Sequence, residues 1–170
     1  WGPPTSWNPM QQGSYAMGTI GLCYETLFLY DPLSDEYVPW IAESGEWLDD
    51  TTYQLKIKEG VTFSDGEALT ADDVKFTFEM GKNFKSAFYS ELWAWLTSIE
   101  KVDDYTLKLT FSAPEYQKWA NYLYTVAILP EHVWSSLTEE QAITGANQPP
   151  LGSGPYLYEA ADESKVVWKR

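Results

Sequence analysis

The stretch from Tyr53 to Glu79 constrains the fold most, because it spells out successive elements together with the joints between them. Tyr53, Leu55 and Ile57 alternate with Gln54, Lys56 and Lys58, the period-two pattern of a strand with one buried face. Glu59-Gly60 then turns the chain, and Ser64-Asp65-Gly66 after Phe63 forms a second tight turn. Thr70 stands just before Asp72 and Asp73. Its hydroxyl can accept from the free amides of a helix start, and the two carboxylates suit the positive end of the helix dipole. From that helix Val74 and Phe78 face the core.

The remaining segments are less explicit. Leu107, Leu109 and Phe111 alternate with Thr106, Lys108 and Thr110, and with Ile99 to Val102 they flank Asp103-Asp104-Tyr105, which predicts a β-hairpin. Pro114 opens a helix through about Tyr122, and Glu131 and Thr138 begin two further short helical pieces. The run Pro149 to Pro155 is too stiff and turn-rich for regular structure, and Tyr156 to Lys169 reads as two strands around Asp162-Glu163. Near the start, Ile20, Tyr24, Leu27 and Phe28 recur at helical spacing and predict a helix from Met17 to Tyr30, stopped by Asp31-Pro32. The opening Trp1 to Tyr15 reads as an aromatic-bearing loop. Strands and helices intermix without a strict βαβ repeat, so the class is α/β in the mixed, α+β sense, a mixed sheet with flanking helices. With 170 residues the chain has the size of one domain, or of one lobe and part of another. It stops within a predicted strand, an odd place for a complete domain to end.

Charge narrows the partners. Eleven basic against 25 acidic residues leave a formal net charge of −14, which repels phosphate backbones and anionic lipid and argues against nucleic-acid or membrane-surface binding. The same surface also serves solubility. One cysteine, Cys23, and one histidine, His132, exclude an internal disulfide and a Cys/His zinc site. Ile20-Gly21-Leu22-Cys23 has some likeness to a lipoprotein acylation site, but no charged, apolar signal region precedes it, so Cys23 is expected to be a small buried hydrophobe.

Catalytic arrangements find little support. No Gly-x-Ser-x-Gly elbow accompanies His132, for which a structural or surface role is expected. Most carboxylates have local explanations: Asp65 in a turn, Asp72 and Asp73 at a helix start, Asp103 and Asp104 in a hairpin loop, Glu139 and Glu140 at another helix start. Neither a phosphate loop nor a calcium loop is present, and no cofactor or metal is expected.

The aromatic load is the unusual feature: nine Trp, twelve Tyr and seven Phe. Their flat faces with polar handles suit sugar or peptide sites, although most aromatics in any domain fill its core. Trp134 and Trp168 belong to predicted core segments. Trp1 and Trp7, in an irregular loop, and Trp93, off the face made by Leu92, Trp95, Leu96 and Ile99, are better placed for a ligand. Asn8, Gln11, Gln12 and Tyr15 add amide and hydroxyl groups to the same loop.

Leu55 to Glu79, LKIKEGVTFSDGEALTADDVKFTFE, closely resembles the signature of the bacterial family 5 extracellular solute-binding proteins, which includes oligopeptide-, dipeptide-, nickel- and cellobiose-binding members. Supporting segments follow in the family's order: Tyr24-Glu25-Thr26-Leu27, Pro39 with Ala42-Glu43, Val102 to Thr106, Ile128 to His132, and Pro150 to Tyr156. The resemblance implies a periplasmic-binding-protein-like class II lobe, with residues 1–170 forming an incomplete first lobe and the second lobe absent. It implies a protein that closes over its ligand by hinge motion, hands it to the membrane subunits of an ABC permease, and catalyses nothing. Its place would be periplasmic or extracellular, with a lipid anchor on a removed leading segment. By resemblance the loop matching Trp7 to Met17 and the position of Trp93 line the cleft, with Tyr124 on a strand approach beside it. Trp7 and Trp93 would be stacking platforms, Asn8 and Gln12 hydrogen-bonding groups, Tyr15 either, and Met17 a further wall. The segments Tyr89 to Trp95, Tyr116 to Trp119 and Gly145 to Asn147 look most like the cellobiose-type branch, so the expected ligand is an oligosaccharide, with a peptide as the alternative. Uncovered lobe surface would favour self-association.

Overall fold

A computed structural model describes residues 6–11, 18–162 and 164–170. Its centre is a four-stranded sheet in the order β3-β4-β6-β5, with β3 Ala42–Trp47, β4 Thr52–Ile57, β5 Leu96–Asp103 and β6 Thr106–Phe111. Neighbouring strands run antiparallel, and the register sets Tyr53 opposite Leu109 and Leu55 opposite Leu107. Those side chains are buried, while the intervening Gln54 and Lys108 pair on the other face. The alternation in the sequence thus chooses the covered side of the sheet.

Two helices cover it. Helix α1, Ala71–Asn83, begins at Thr70 with a capping box: the Asp72 amide donates to Thr70 Oγ1 at 3.3 Å, and the Thr70 amide donates to Asp73 Oδ2 at 2.9 Å. Val74, Thr77 and Phe78 on its inner face are fully buried. Helix α2, Tyr116–Thr125, sends Trp119 into the same layer, where its ring lies 5.3 Å from Phe78, 5.5 Å from Phe111 and 5.6 Å from Tyr53, centroid to centroid. Short helices α3, Glu131–Trp134, and α4, Glu139–Thr144, follow. Asp73 also ties α1 to α3, since its Oδ1 accepts from the Glu131 amide at 3.0 Å. Thr70→Ala removes the cap acceptor and is expected to lower the unfolding free energy by about 1 kcal/mol in urea titrations; an unchanged midpoint would count against the cap.

Residues 18–30, the described part of the segment expected to be helical, depart from that expectation. Thr19–Cys23 is an irregular turn, with Ile20 extended and Gly21 at φ 91°, and Phe28–Asp31 is strand β1. An apolar spacing of three and four also fits a turn followed by a short strand, and Gly21 takes up the left-handed conformation at the break. β1 pairs with β2, Glu36–Pro39, placing Tyr30 opposite Tyr37 and Leu29 opposite Val38. A final hairpin joins β7, Leu157–Ala161, to β8, Val166–Lys169.

The run 149–155 returns the chain to its beginning. The Gly154 amide donates to the Cys23 carbonyl at 2.7 Å, and the Tyr156 amide to that of Leu22 at 3.0 Å. A Cβ on Gly152 or Gly154 would collide with those backbone carbonyls, so closeness of approach selects glycine there. Glu25 clamps the same junction, its carboxylate accepting from Trp40 Nε1 at 2.7 Å and from Ser153 Oγ at 2.9 Å. Cys23 is buried as expected, and burial pushes its thiol up to about 12.

Candidate functional site

The loop entering the described structure at Ser6 is anchored from within. Asn8 Nδ2 donates to the carbonyls of Ala142 and Gly145 at 2.7 and 2.8 Å, its Oδ1 accepts from the Met10 amide at 2.8 Å, and the residue is buried. The Trp7 amide donates to the Ala146 carbonyl at 2.8 Å, and Gln11 Nε2 to that of Ile143 at 3.0 Å. Helix α4 ends there, and its last carbonyls find their partners in Asn8 and Gln11 rather than in water. The Trp7 ring is 3% exposed and meets Tyr158 edge to face at 4.9 Å. Among the described residues its buried Nε1 has no hydrogen-bond partner.

Met10 carries this loop across to α1. Its sulfur lies 3.7 Å from the hydroxyl of Tyr89, which donates to the Thr77 carbonyl at 2.9 Å. Tyr89 is wholly buried, and burial holds its phenol above the usual range. Directly after it, Ser90–Ala94 forms a 3-10 turn bearing Trp93. Trp93 is half-buried, its Nε1 donates to the Phe78 carbonyl at 2.8 Å, and Lys82 Nζ sits 4.8 Å from its ring centre. Lys82 is exposed and held over the indole by this contact alone among the described residues, so it covers part of the ring face without sealing it. The loop and the Trp93 turn are therefore brought together through Met10 and Tyr89, a link that residue patterns did not signal.

Tyr124 stands elsewhere, on α2 against the first hairpin. Its ring lies 5.4 Å from Tyr30 and 5.7 Å from Tyr37, and its hydroxyl donates to Asn121 Oδ1 at 3.1 Å. Gln12, Tyr15 and Met17 lie outside the described residues. Asn147, absent from the expected set, bridges the anchored loop to the core: its Nδ2 donates to the Tyr24 hydroxyl and to the Trp7 carbonyl at 2.6 and 3.3 Å. Its φ of 51° is a conformation asparagine tolerates better than most residues, a feature of the fold that no sequence pattern marked.

The surface role expected for His132 matches its position. Its Nε2 meets Asp65 Oδ2 at 2.8 Å in an exposed pair, which holds the Asp65 carboxyl below its usual value. Such a pair contributes at most about 1 kcal/mol to stability. Among the described residues no cluster of His, Cys, Asp or Glu could hold a metal ion, and no helix is long and apolar enough to cross a membrane.

Comparison with known proteins places this geometry. The model of the bacterial extracellular solute-binding proteins, family 5, matches residues 36–170. The oligopeptide-binding protein AppA of Bacillus subtilis is 30% identical, with the alignment covering 94% of this chain and 34% of that protein. A periplasmic oligopeptide-binding protein of an oligopeptide ABC transporter from Thermotoga maritima superposes with a TM-score of 0.98 at 48% identity, over 100% of this chain and 32% of that one. A crystal structure of the Thermotoga protein with mannohexaose bound superposes at 0.97, and AppA in complex with a nonapeptide at 0.84 with 29% identity. The chain spans about a third of the length of the relatives it matches. With the family match extending over most of its residues and the fold agreeing from end to end, the chain belongs to the bacterial extracellular solute-binding proteins, family 5.

Proposed function

We propose that the protein carrying this chain is the extracytoplasmic binding component of an ABC importer and captures an oligosaccharide of β-linked gluco or manno type, reversibly and without covalent chemistry. The observation that carries this reading is 48% identity across the whole chain to the Thermotoga protein crystallised with mannohexaose. The aromatic load supports it, since sugar C–H faces pack on indole and phenol rings. So does the net charge of −14, which suits a neutral ligand better than an anionic one.

In this reading the loop that runs from Trp7 to Met17 lines one wall of the cleft together with Trp93, the Trp7 ring itself being covered by Tyr158, while Tyr124 stands on a separate surface against the first hairpin. Asn8 spends its amide on α4 and so holds the loop in place, while Gln12, Tyr15 and Met17 reach the ligand. Trp93 stacks once Lys82 swings aside. Membrane permease subunits receive the loaded protein, which works in the periplasm or at the outer cell surface.

A peptide ligand is the second reading, favoured by the nonapeptide held by AppA. Titration of the natural full-length protein with cello- and manno-oligosaccharides and with peptides, followed by calorimetry and tryptophan fluorescence, separates the two. Saturable binding of a manno- or cello-oligosaccharide is expected; a response to peptides with none to sugars would replace the first reading by the second.

A further inference from the structure

The first hairpin leaves more apolar surface open than its neighbours. Leu29, Tyr30, Tyr37, Val38 and Trp40 are each about two-fifths exposed, and Leu33 at the tip is 96% exposed. Its two faces differ in chemistry. Leu29 and Val38, paired across the strands, make an aliphatic face, whereas Tyr30 and Tyr37 make an aromatic one. Helix α2 adds Tyr124 to the aromatic side, so three phenol rings stand at mutual centroid distances of 5.4, 5.4 and 5.7 Å. Their planes meet at 44°, 30° and 43°, giving a faceted surface rather than a flat one.

The rim of this surface is polar. The Tyr30 hydroxyl donates to Asp35 Oδ1 at 2.8 Å, and that of Tyr124 to Asn121 Oδ1. Each donating hydroxyl keeps its lone pairs for an incoming donor, and the Asp35 carboxylate has further acceptor capacity. The bond to Asp35 raises the Tyr30 phenol, and partial desolvation raises that of Tyr37. Apolar ring faces bordered by carboxylate, amide and hydroxyl oxygens match a pyranose, whose C–H faces want rings and whose hydroxyls want acceptors. An anionic lipid surface meets Asp31, Asp35 and Glu36 on the same hairpin and is repelled. A protein partner is better suited by the aliphatic face made by Leu29 and Val38.

We propose that Tyr30, Tyr37 and Tyr124 form a sugar-stacking platform that engages the outer residues of a long oligosaccharide, apart from the Trp93 region. The proposal rests on the oligosaccharide reading above and adds to it a preference for chain length. Tyr30 and Tyr37 supply the open faces, and Tyr124 backs them from α2. Neutral sugars gain contact with each added residue that reaches the platform.

The test uses the natural full-length protein, unmodified and as Y30A/Y37A and Y37F, titrated with mannobiose and mannohexaose. Two lost stacking contacts should weaken mannohexaose about tenfold in Y30A/Y37A, leave mannobiose unchanged, and leave Y37F within about twofold of the parent. If the parent binds mannohexaose and Y30A/Y37A binds it equally well, the platform is overturned while the oligosaccharide reading stands. A double variant with parental affinity but a lower urea midpoint overturns it too, and identifies the face as one that packs on protein. If the parent responds to neither sugar, the manno-type ligand fails and the platform proposed for it fails with it, while the gluco-type form of the oligosaccharide reading is decided by the cello-oligosaccharide titration above. In unmodified protein carrying ring-labelled tyrosine, mannohexaose should shift the Tyr30 and Tyr37 resonances and mannobiose should not. Absence of that shift overturns the proposal whether or not the double variant folds.

Discussion

Trp119→Ala is expected to lower the unfolding free energy by about 3–5 kcal/mol, the range for removing a buried tryptophan. The indole is 1% exposed and joins Tyr53 of β4, Phe111 of β6 and Phe78 of α1 in one cluster. No other side chain of α2 is so deeply placed, because Leu123 is the other buried residue of that helix and is smaller. Alanine leaves a void between helix and sheet that the surrounding rings cannot fill without leaving their rotamers. Since a domain is stable by about 5–15 kcal/mol in all, the variant should unfold at a much lower urea concentration with near-native secondary structure in its absence. Trp119→Phe should recover a good part of the loss. A change below about 1 kcal/mol for the alanine variant would mean that α2 is not seated by this residue.

Asn8→Ala is expected to cost about 2–4 kcal/mol, the sum of several buried hydrogen bonds and of the carbonyls left unpaired. The side chain holds the end of α4 through the Ala142 and Gly145 carbonyls and holds its own loop through the Met10 amide. Asn8→Asp should be worse than alanine, because an acceptor then faces two carbonyls that need a donor. Urea unfolding measures both. The experiment also separates two roles: an anchoring asparagine alters stability and ligand affinity together, whereas one that serves the ligand alone leaves the urea midpoint where it was. The second outcome would sink the anchoring account of Asn8.

Elements with a complete local code were legible in advance. Tyr53, Leu55 and Ile57 announced β4, Thr70 with Asp73 announced the start of α1, and Thr138 announced α4, whose capping box appears at that residue. Strand β3 carries no such code, since as an edge strand it buries Ala42 and leaves most of its length open, with no strict alternation to read. The helix expected at 17–30 failed for the opposite reason: the apolar spacing was present, but Tyr24 and Leu27 are buried by the return of residues 151–156 and by the strand approach at 127–128, not by a helical stripe. The aromatic residues are the unusual feature of the sequence, yet which of them stand open is not legible in it. Trp7, in an irregular polar loop, is almost wholly covered, whereas Tyr30 and Tyr37, in an apolar run, remain exposed.

By itself, then, the sequence determined the local grammar: where strands alternate, where hydroxyls and carboxylates cap helices, where glycine and proline turn the chain, and through the Leu55 to Glu79 signature the family to which it belongs. Those properties depend on residues within a few positions of one another. Only the tertiary structure decided that Asn8 closes a helix more than 130 positions away, that Met10 and Tyr89 join the opening loop to the Trp93 turn, and that Tyr124 completes a surface begun by Tyr30 and Tyr37. Burial and exposure are settled by which distant segments meet, and no local periodicity carries that information.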